Sequence, residues 1–151
     1  MNTETERLQL ELEHGTETIL LVDDEESLRQ VVTQFLSQEL GYNLLSAGSG
    51  EEALSLVETY SGDIDLLVTD ILLPGMSGPE LAKKMGALYP NLGIMYISGY
   101  ADHNLESHGL TISNCILLQK PFTIKSLATK VREILDKDED EDIGGSLETK
   151  N

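Results

Sequence analysis

The chain has 151 residues, of which 40% are hydrophobic and 25% charged, a balance typical of one soluble globular domain. Its formal net charge of -17 argues against nucleic-acid binding by this domain, because a phosphate backbone requires a basic surface. The single cysteine, Cys115, excludes an internal disulfide and fits a reducing compartment. Because no apolar run reaches membrane-spanning length and no signal core is present, we expect a cytoplasmic protein without membrane contact.

Five aliphatic segments alternate with amphipathic segments, which predicts five strand–helix units. Strands are predicted at T-I-L-L-V (18–22), Y-N-L-L-S-A (42–47), I-D-L-L-V-T (64–69, ending at Asp70), G-I-M-Y-I-S (93–98) and C-I-L-L-Q (115–119). Helices are predicted at 26–40, 50–60, from Pro79 to about 89, weakly at 101–108, and at 123–135. Ser49 and Glu52 have the spacing of a capping box, and Pro79 suits a first helical turn.

This alternation predicts an α/β fold with a five-stranded parallel sheet and helices on both faces. A closed eight-fold barrel would need far more chain. We predict a folded unit at 18–135, preceded by an N-terminal extension at 1–17. The acidic segment 136–151 repels itself and has little to bury, so we predict a disordered tail.

Charged and hydroxyl side chains stand where four of the predicted strands end. They are Asp23, Asp24, Asp70, Ser98 and Lys120. Ligands of an open parallel sheet bind at this carboxyl edge, so we expect these side chains to converge. Three clustered carboxylates require a cation, and hard oxygen ligands suit Mg²⁺. With a lysine as second positive charge, the set predicts phosphoryl transfer onto a carboxylate.

The two acids that follow the aspartate pair, Glu25 and Glu26, need no place in that set. We expect them to begin the first helix, where negative charge interacts favourably with the helix dipole.

The chain resembles the receiver domain of two-component response regulators in four correctly ordered segments, which are V-D-D-E (22–25), V-T-D-I-L-L-P-G-M-S-G (68–78), Y-I-S-G-Y (96–100) and L-Q-K-P-F (118–122). The resemblance covers about 18–135 and is greatest to receivers of hybrid sensor histidine kinases, within the CheY-like superfamily. It implies the flavodoxin-like (βα)5 fold with strand order 2-1-3-4-5.

The resemblance also implies a role for each strand-end residue. Asp70 is similar to the phosphoacceptor, and Lys120 to the lysine that pairs with the phosphoryl group, followed by a cis peptide bond to Pro121. Ser98 stands at the switch hydroxyl position. The implied magnesium ligands are Asp23, Asp24, Asp70 and the backbone carbonyl of Leu72.

Three positions distinguish this chain within the resemblance. Leu117 occupies the position of the usual switch aromatic, so coupling of Ser98 to a ring rotation is not expected in its usual form. Leu72 and Tyr100 are similar to the two residues that flank the path of the attacking water. Leucine cannot orient a water and a tyrosine ring can cover the phosphoryl group, so we predict slow self-dephosphorylation.

The expected function is to accept a phosphoryl group onto Asp70 from a phosphohistidine of a histidine kinase or histidine phosphotransfer protein. We expect a monomer or weak dimer, either standing alone or as the receiver part of a hybrid kinase. The rival interpretation is a degenerate receiver that binds proteins without phosphorylation. A haloacid-dehalogenase phosphatase is rejected because Leu72 replaces its second aspartate. A DNA-binding regulator is disfavoured because no output domain is expected after Leu135.

Overall fold

The computed structural model describes residues 14–99 and 116–148, and of residues 116 and 137–148 it describes the backbone alone. Its sheet has five parallel strands in the order 2-1-3-4-5, as the sequence predicts. The strands are β1 (Thr18–Val22), β2 (Asn43–Ala47), β3 (Leu66–Asp70), β4 (Gly93–Ser98) and β5 (Ile116–Gln119). The register pairs β1 with β2 and β3, and β4 with β3 and β5, so β3 lies at the centre and β2 and β5 are the edge strands.

Four helices connect or follow these strands in the described residues. They are α1 (Glu26–Gln34), which continues as a π-helical turn over Phe35–Glu39, α2 (Gly50–Thr59), α3 (Gly78–Leu88) and α4 (Ile124–Glu148). The weak helix predicted at 101–108 lies outside the described residues, as does Cys115. Within the described ranges, every helix is too short or too polar to cross a lipid bilayer.

The strands alternate their side chains between two hydrophobic layers, so helices cover both faces of the sheet, as predicted. One layer joins alternate strand residues to α1 and α4, and includes Ile19, Leu21, Val32, Val68, Leu127 and Val131. The other joins the remaining strand residues to α2 and α3, and includes Leu20, Val22, Ala53, Leu67, Leu81 and Met85. All these side chains are buried. The strands that end at the carboxyl edge are thereby packed between two buried hydrophobic layers.

Side-chain caps set the starts of α2 and α3. Ser77 and Glu80 form a complete capping box, with Pro79 in the first turn. Ser49 accepts a hydrogen bond from the Glu52 N–H, as predicted. In a complete capping box the Glu52 carboxylate would accept a hydrogen bond from the N–H of Ser49. Here it accepts from the N–H of Gly48 instead.

The last helix is longer than the sequence predicts. We expected it to end at Leu135, but the helix runs to Glu148. A helix satisfies its backbone hydrogen bonds within itself, so once its first turns are packed it can continue through residues with little to bury. Arg132 also binds Asp136 with an N···O distance of 2.8 Å, which holds the turn where the predicted tail would begin.

The residues just before β1 pack on the domain. The N–H of Gly15 donates to the carbonyl of Leu40, and the Glu17 carbonyl accepts from the N–H of Asn43. The Glu17 carboxylate accepts two hydrogen bonds from Arg132, at 2.8 and 3.2 Å. The limits of the predicted extension and tail remain predictions, but residues 14–17 and Asp136 lie in contact with the folded unit.

Candidate functional site

Three carboxylates meet at the carboxyl edge of the sheet. Asp70 is the last residue of β3, and Asp23 and Asp24 directly follow β1, its neighbour in the sheet. Asp23 and Asp70 are buried, whereas Asp24 is exposed. Each of the three offers a ligand oxygen within 4.8 Å of the others, so together they could hold a metal ion. The prediction that these three side chains lie close together is therefore confirmed.

Backbone hydrogen bonds fix this geometry. The Asp23 N–H donates to the carbonyl of Ala47, and the Asp23 Oδ1 atom accepts from the N–H of Glu25 at 2.8 Å. Beyond Asp70, a hydrogen bond closes the loop that leads to α3, since the Gly78 N–H donates to the Ile71 carbonyl at 2.8 Å. A side chain at Gly78 would overlap the carbonyl oxygen of Asp70, so only glycine permits α3 to start this close to the site.

Lys120 directly follows β5 and extends its side chain to Asp23 and Asp70. Its N–H donates to the carbonyl of Ser98 at 2.8 Å, and its peptide bond to Pro121 is cis, as the resemblance implies. The Nζ atom lies 3.2 Å from Asp23 Oδ2 and 3.5 Å from Asp70 Oδ2. The contact with Asp23 Oδ2 is within ion-pair distance but lacks hydrogen-bond geometry, so this buried oxygen has no hydrogen-bond partner in the described residues.

The electrostatics of the site are unbalanced toward negative charge. Burial and, after it, the neighbouring negative charge of Asp23 raise the pKa of Asp70 to about 8, and Lys120 only partly opposes this. Burial alone would lower the pKa of Lys120, but the surrounding carboxylates, Asp70 first, raise it above its ordinary value. One ammonium group therefore does not compensate the acids around it, and a divalent cation would.

Of the remaining predicted site residues, the structure describes Ser98, Leu72 and Leu117. Ser98 is buried at the end of β4, and its hydroxyl donates to the Gly99 carbonyl at 3.0 Å. Leu72 lies two residues beyond Asp70, with 48% of its side chain exposed. Leu117 is half-buried beside Tyr96, in the layer shared with α2 and α3. The predicted covering residue Tyr100 lies outside the described residues.

One charged neighbour of the site lysine was missed in the sequence. Glu25 and Glu26 stand at the start of α1 as expected, with Glu25 as the N-cap residue, but the Glu25 carboxylate makes no cap bond. Its Oε1 atom instead lies 3.5 Å from Lys120 Nζ. Two signals could have indicated this contact: the position of Glu25 directly after the acid pair, and the lysine expected at the same edge.

Comparison with known proteins agrees with this fold. Residues 19–132 match the model of the response regulator receiver domain. The chain is 37% identical over 123 residues to the sensor kinase CckA of Brucella abortus (strain 2308), covering 82% of this chain and 13% of that kinase. It thus corresponds to about an eighth of the kinase's length.

Solved receiver structures show the same architecture. The receiver domain of the hybrid histidine kinase CckA is 36% identical, with a TM-score of 0.64 over 78% of this chain and 98% of that one. A response regulator receiver protein from Sinorhizobium medicae WSM419 is 33% identical, with a TM-score of 0.70 over 82% of this chain and 97% of that one. The fold, the site and these matches define a receiver domain of two-component systems, and the chain belongs to the response regulator receiver domain family.

Proposed function

We propose that this receiver accepts a phosphoryl group on Asp70. The observation that supports the proposal is the convergence of Asp23, Asp24 and Asp70 within 4.8 Å, with Lys120 Nζ 3.5 Å from Asp70. A degenerate receiver would lack an acid or the lysine, and here all four are present and close together. The site therefore has the residues that phosphoryl transfer onto Asp70 requires.

The same residues fit Mg²⁺. Three carboxylate oxygens are hard ligands in the number that leaves room for waters, and the backbone carbonyl of Leu72 is the fourth protein ligand that we propose. The raised pKa of Asp70 and the buried Asp23 Oδ2 atom without a hydrogen bond are both features that a bound cation would relieve. When bound, the ion would neutralise charge on the carboxylates and on the phosphoryl oxygens.

In the proposed reaction, a carboxylate oxygen of Asp70 attacks the phosphorus of a phosphohistidine. A P–O bond forms as the P–N bond breaks, and the bonding electron pair remains on the imidazole nitrogen. Lys120 donates hydrogen bonds to the transferred group, which places positive charge where the phosphoryl oxygens lie. The donor that this chemistry requires is a histidine kinase or a histidine phosphotransfer protein.

The hydroxyl of Ser98 is the proposed switch. It donates to the Gly99 carbonyl, and we propose that it turns toward a phosphoryl group on Asp70. Leu117 has no ring to follow that movement. Amide shifts on binding of beryllofluoride should consequently be large at Ser98 and Gly99 and smaller around Leu117, and equally large shifts at both would contradict this path.

The experiment is incubation of the full chain with acetyl phosphate and Mg²⁺, followed by intact mass. The wild type should gain one phosphoryl mass and Asp70→Asn should gain none. Asp63→Asn, which alters an exposed aspartate, is the matched control and should react as the wild type does. A wild type that gains no mass would favour the degenerate receiver, and a normally phosphorylated Asp70→Asn variant would overturn the assignment of the acceptor.

A further inference from the structure

Glu25 competes for the one lysine of the site. Its Oε1 atom is as far from Lys120 Nζ as the Asp70 Oδ2 atom is, at 3.5 Å in both cases. It belongs to neither the proposed acceptor nor the proposed metal ligands. With 59% of its side chain exposed, it lies at the solvent side of the cluster, whereas Asp23 lies beneath the lysine and is fully buried.

The backbone holds Glu25 in this place. Its N–H donates to Asp23 Oδ1 at 2.8 Å, which fixes the peptide from which the side chain extends. As the residue before α1, it could have capped the helix, yet it makes no side-chain cap bond. The next residue offers a contrast, because the Glu26 carboxylate faces Gln30 of its own helix at 3.4 Å.

The lysine has a limited number of donors to share. An ammonium group has three N–H bonds, and three carboxylates already surround this one. A phosphoryl group on Asp70 would bring further oxygens that need the same donors. Of the three carboxylates, the exposed one can be rehydrated at the lowest cost, so it is the one that can release the lysine.

We propose that Glu25 is a positioning residue that holds the Lys120 ammonium at the mouth of the site and releases it when a phosphoryl group arrives. This rests on the proposed function of Asp70. Glu25 then weakens the binding of a small anionic phosphoryl donor in two ways. It competes with the donor for the lysine, and its negative charge repels the donor. Exposed ion pairs are weak and screened by salt, so the effect is about two- to fivefold.

The first test measures phosphorylation of the full chain by acetyl phosphate in Mg²⁺ at low salt. Glu25→Gln should lower the acetyl phosphate concentration at half-maximal rate by about two- to fivefold and leave the maximal rate unchanged. Glu26→Gln removes the same charge one residue away and is the matched control, with a smaller change. Equal effects of the two variants, or no effect of Glu25→Gln, would overturn the proposal.

The second test needs no phosphorylation and so separates this proposal from the proposed function. A double-mutant cycle combines Glu25→Gln with Lys120→Met and follows unfolding without Mg²⁺. The pair should show a coupling of about two- to fivefold in the unfolding equilibrium constant, and Glu26 with Lys120 should show none. Absence of coupling would overturn the proposal. If the wild type takes no phosphoryl group, the proposed function fails, and this coupling still decides whether Glu25 holds Lys120.

Discussion

The two edges of the sheet each carry a cluster of charged residues, and the clusters are built in opposite ways. At the carboxyl edge, Lys120 faces more acids than it can compensate, and a buried oxygen of Asp23 has no hydrogen-bond partner in the described residues. At the amino edge, Arg132 binds both Glu17 and Asp136 at 2.8 Å and also donates to the Tyr42 hydroxyl.

The two clusters differ in whether folding favours or disfavours the charged form of their acids. In the amino-edge cluster, side-chain hydrogen bonds from Arg132 hold the pKa of Glu17 below its ordinary value, so the charged form is favoured by folding. In the carboxyl-edge cluster, burial and repulsion raise the pKa of Asp70, so the charged form is disfavoured by folding. The first cluster pairs its acids with a cation of the protein, and the second retains an excess of negative charge, which supports the proposed cation site.

The largest expected effect is on metal-free stability at alkaline pH. The ordinary pKa of Asp70 is 3.8 and its folded pKa is about 8, so the contribution of Asp70 to wild-type stability falls as pH rises from about 4 to about 8. Asp70→Asn removes this loss. The variant should match the wild type near pH 4 and exceed it above pH 8 by on the order of 3 kcal/mol, measured by urea unfolding in EDTA.

Asp63→Asn is the control for that prediction, since Asp63 is exposed and lies outside the cluster. The difference in unfolding free energy between Asp63→Asn and the wild type should not grow with pH. A constant difference between Asp70→Asn and the wild type from pH 4 to pH 9 would show that Asp70 is not crowded.

The opposite cluster should respond in the opposite direction. Arg132→Ala leaves Glu17 and Asp136 without their main partner and should lower the free energy of unfolding by about 2 kcal/mol at pH 7. Because the folded pKa of Glu17 lies below 4.5, its contribution is present above that pH and is lost as pH falls through the folded value. The variant should therefore lose less stability on acidification than the wild type does.

Two variants sharpen this result. Arg132→Lys keeps the charge but cannot make the two-pronged bond to Glu17, so it should fall between alanine and the wild type. Glu133→Ala changes an exposed neighbour on the same helix and should have little effect. If Arg132→Ala costs no more than Glu133→Ala, the amino-edge cluster does not stabilise the fold.

The lifetime of the phosphoryl group is the next effect in size. Leu72 is 48% exposed two residues beyond Asp70 and can neither orient nor activate a water. Leu72→Asn supplies a polar group there and should speed dephosphorylation by about tenfold, followed by intact mass after removal of the donor. Leu88→Asn alters a leucine that is 59% exposed on α3 and is the matched control. Equal decay in all three proteins would contradict the shielding role of Leu72.

The smallest effect is expected at the exposed acid of the pair. Asp24→Ala removes one negative charge from the carboxyl edge, so it should raise metal-free stability by about 0.5 kcal/mol. It should also weaken the stabilisation that Mg²⁺ confers, which a melting series in Mg²⁺ and in EDTA measures. A lower melting temperature in EDTA, with normal stabilisation by Mg²⁺, would place Asp24 outside the metal site.

The sequence predicted what depends on local pattern. Aliphatic runs bounded by glycines or acids predicted the strands, and the bounds of β1 and β4 agree with the structure to the residue. The acids and the lysine at strand ends could be assigned to one site because parallel strands all end at the same edge. The family resemblance supplied the strand order.

What the sequence could not predict depends on side chains that meet only in three dimensions. The pairing of Arg132 with Asp136 has a readable i,i+4 spacing, but the other partner of Arg132, Glu17, is 115 residues away. Glu25 had two available roles, helix cap and lysine partner, and only the position of Lys120 decides between them. The continuation of α4 past Leu135 also depends on a packed start that local composition does not reveal.

The most direct test of the contrast between the edges is a Mg²⁺ titration of the wild type followed by amide shifts. Saturable shifts should appear at residues 23–25 and 70–72, and residues 14–17 and Arg132 should not respond, because the amino-edge acids already have their cation. Asp70→Asn should weaken the response. Shifts of equal size at both edges, or none at the carboxyl edge, would contradict the account that the carboxyl edge alone is built to receive a cation.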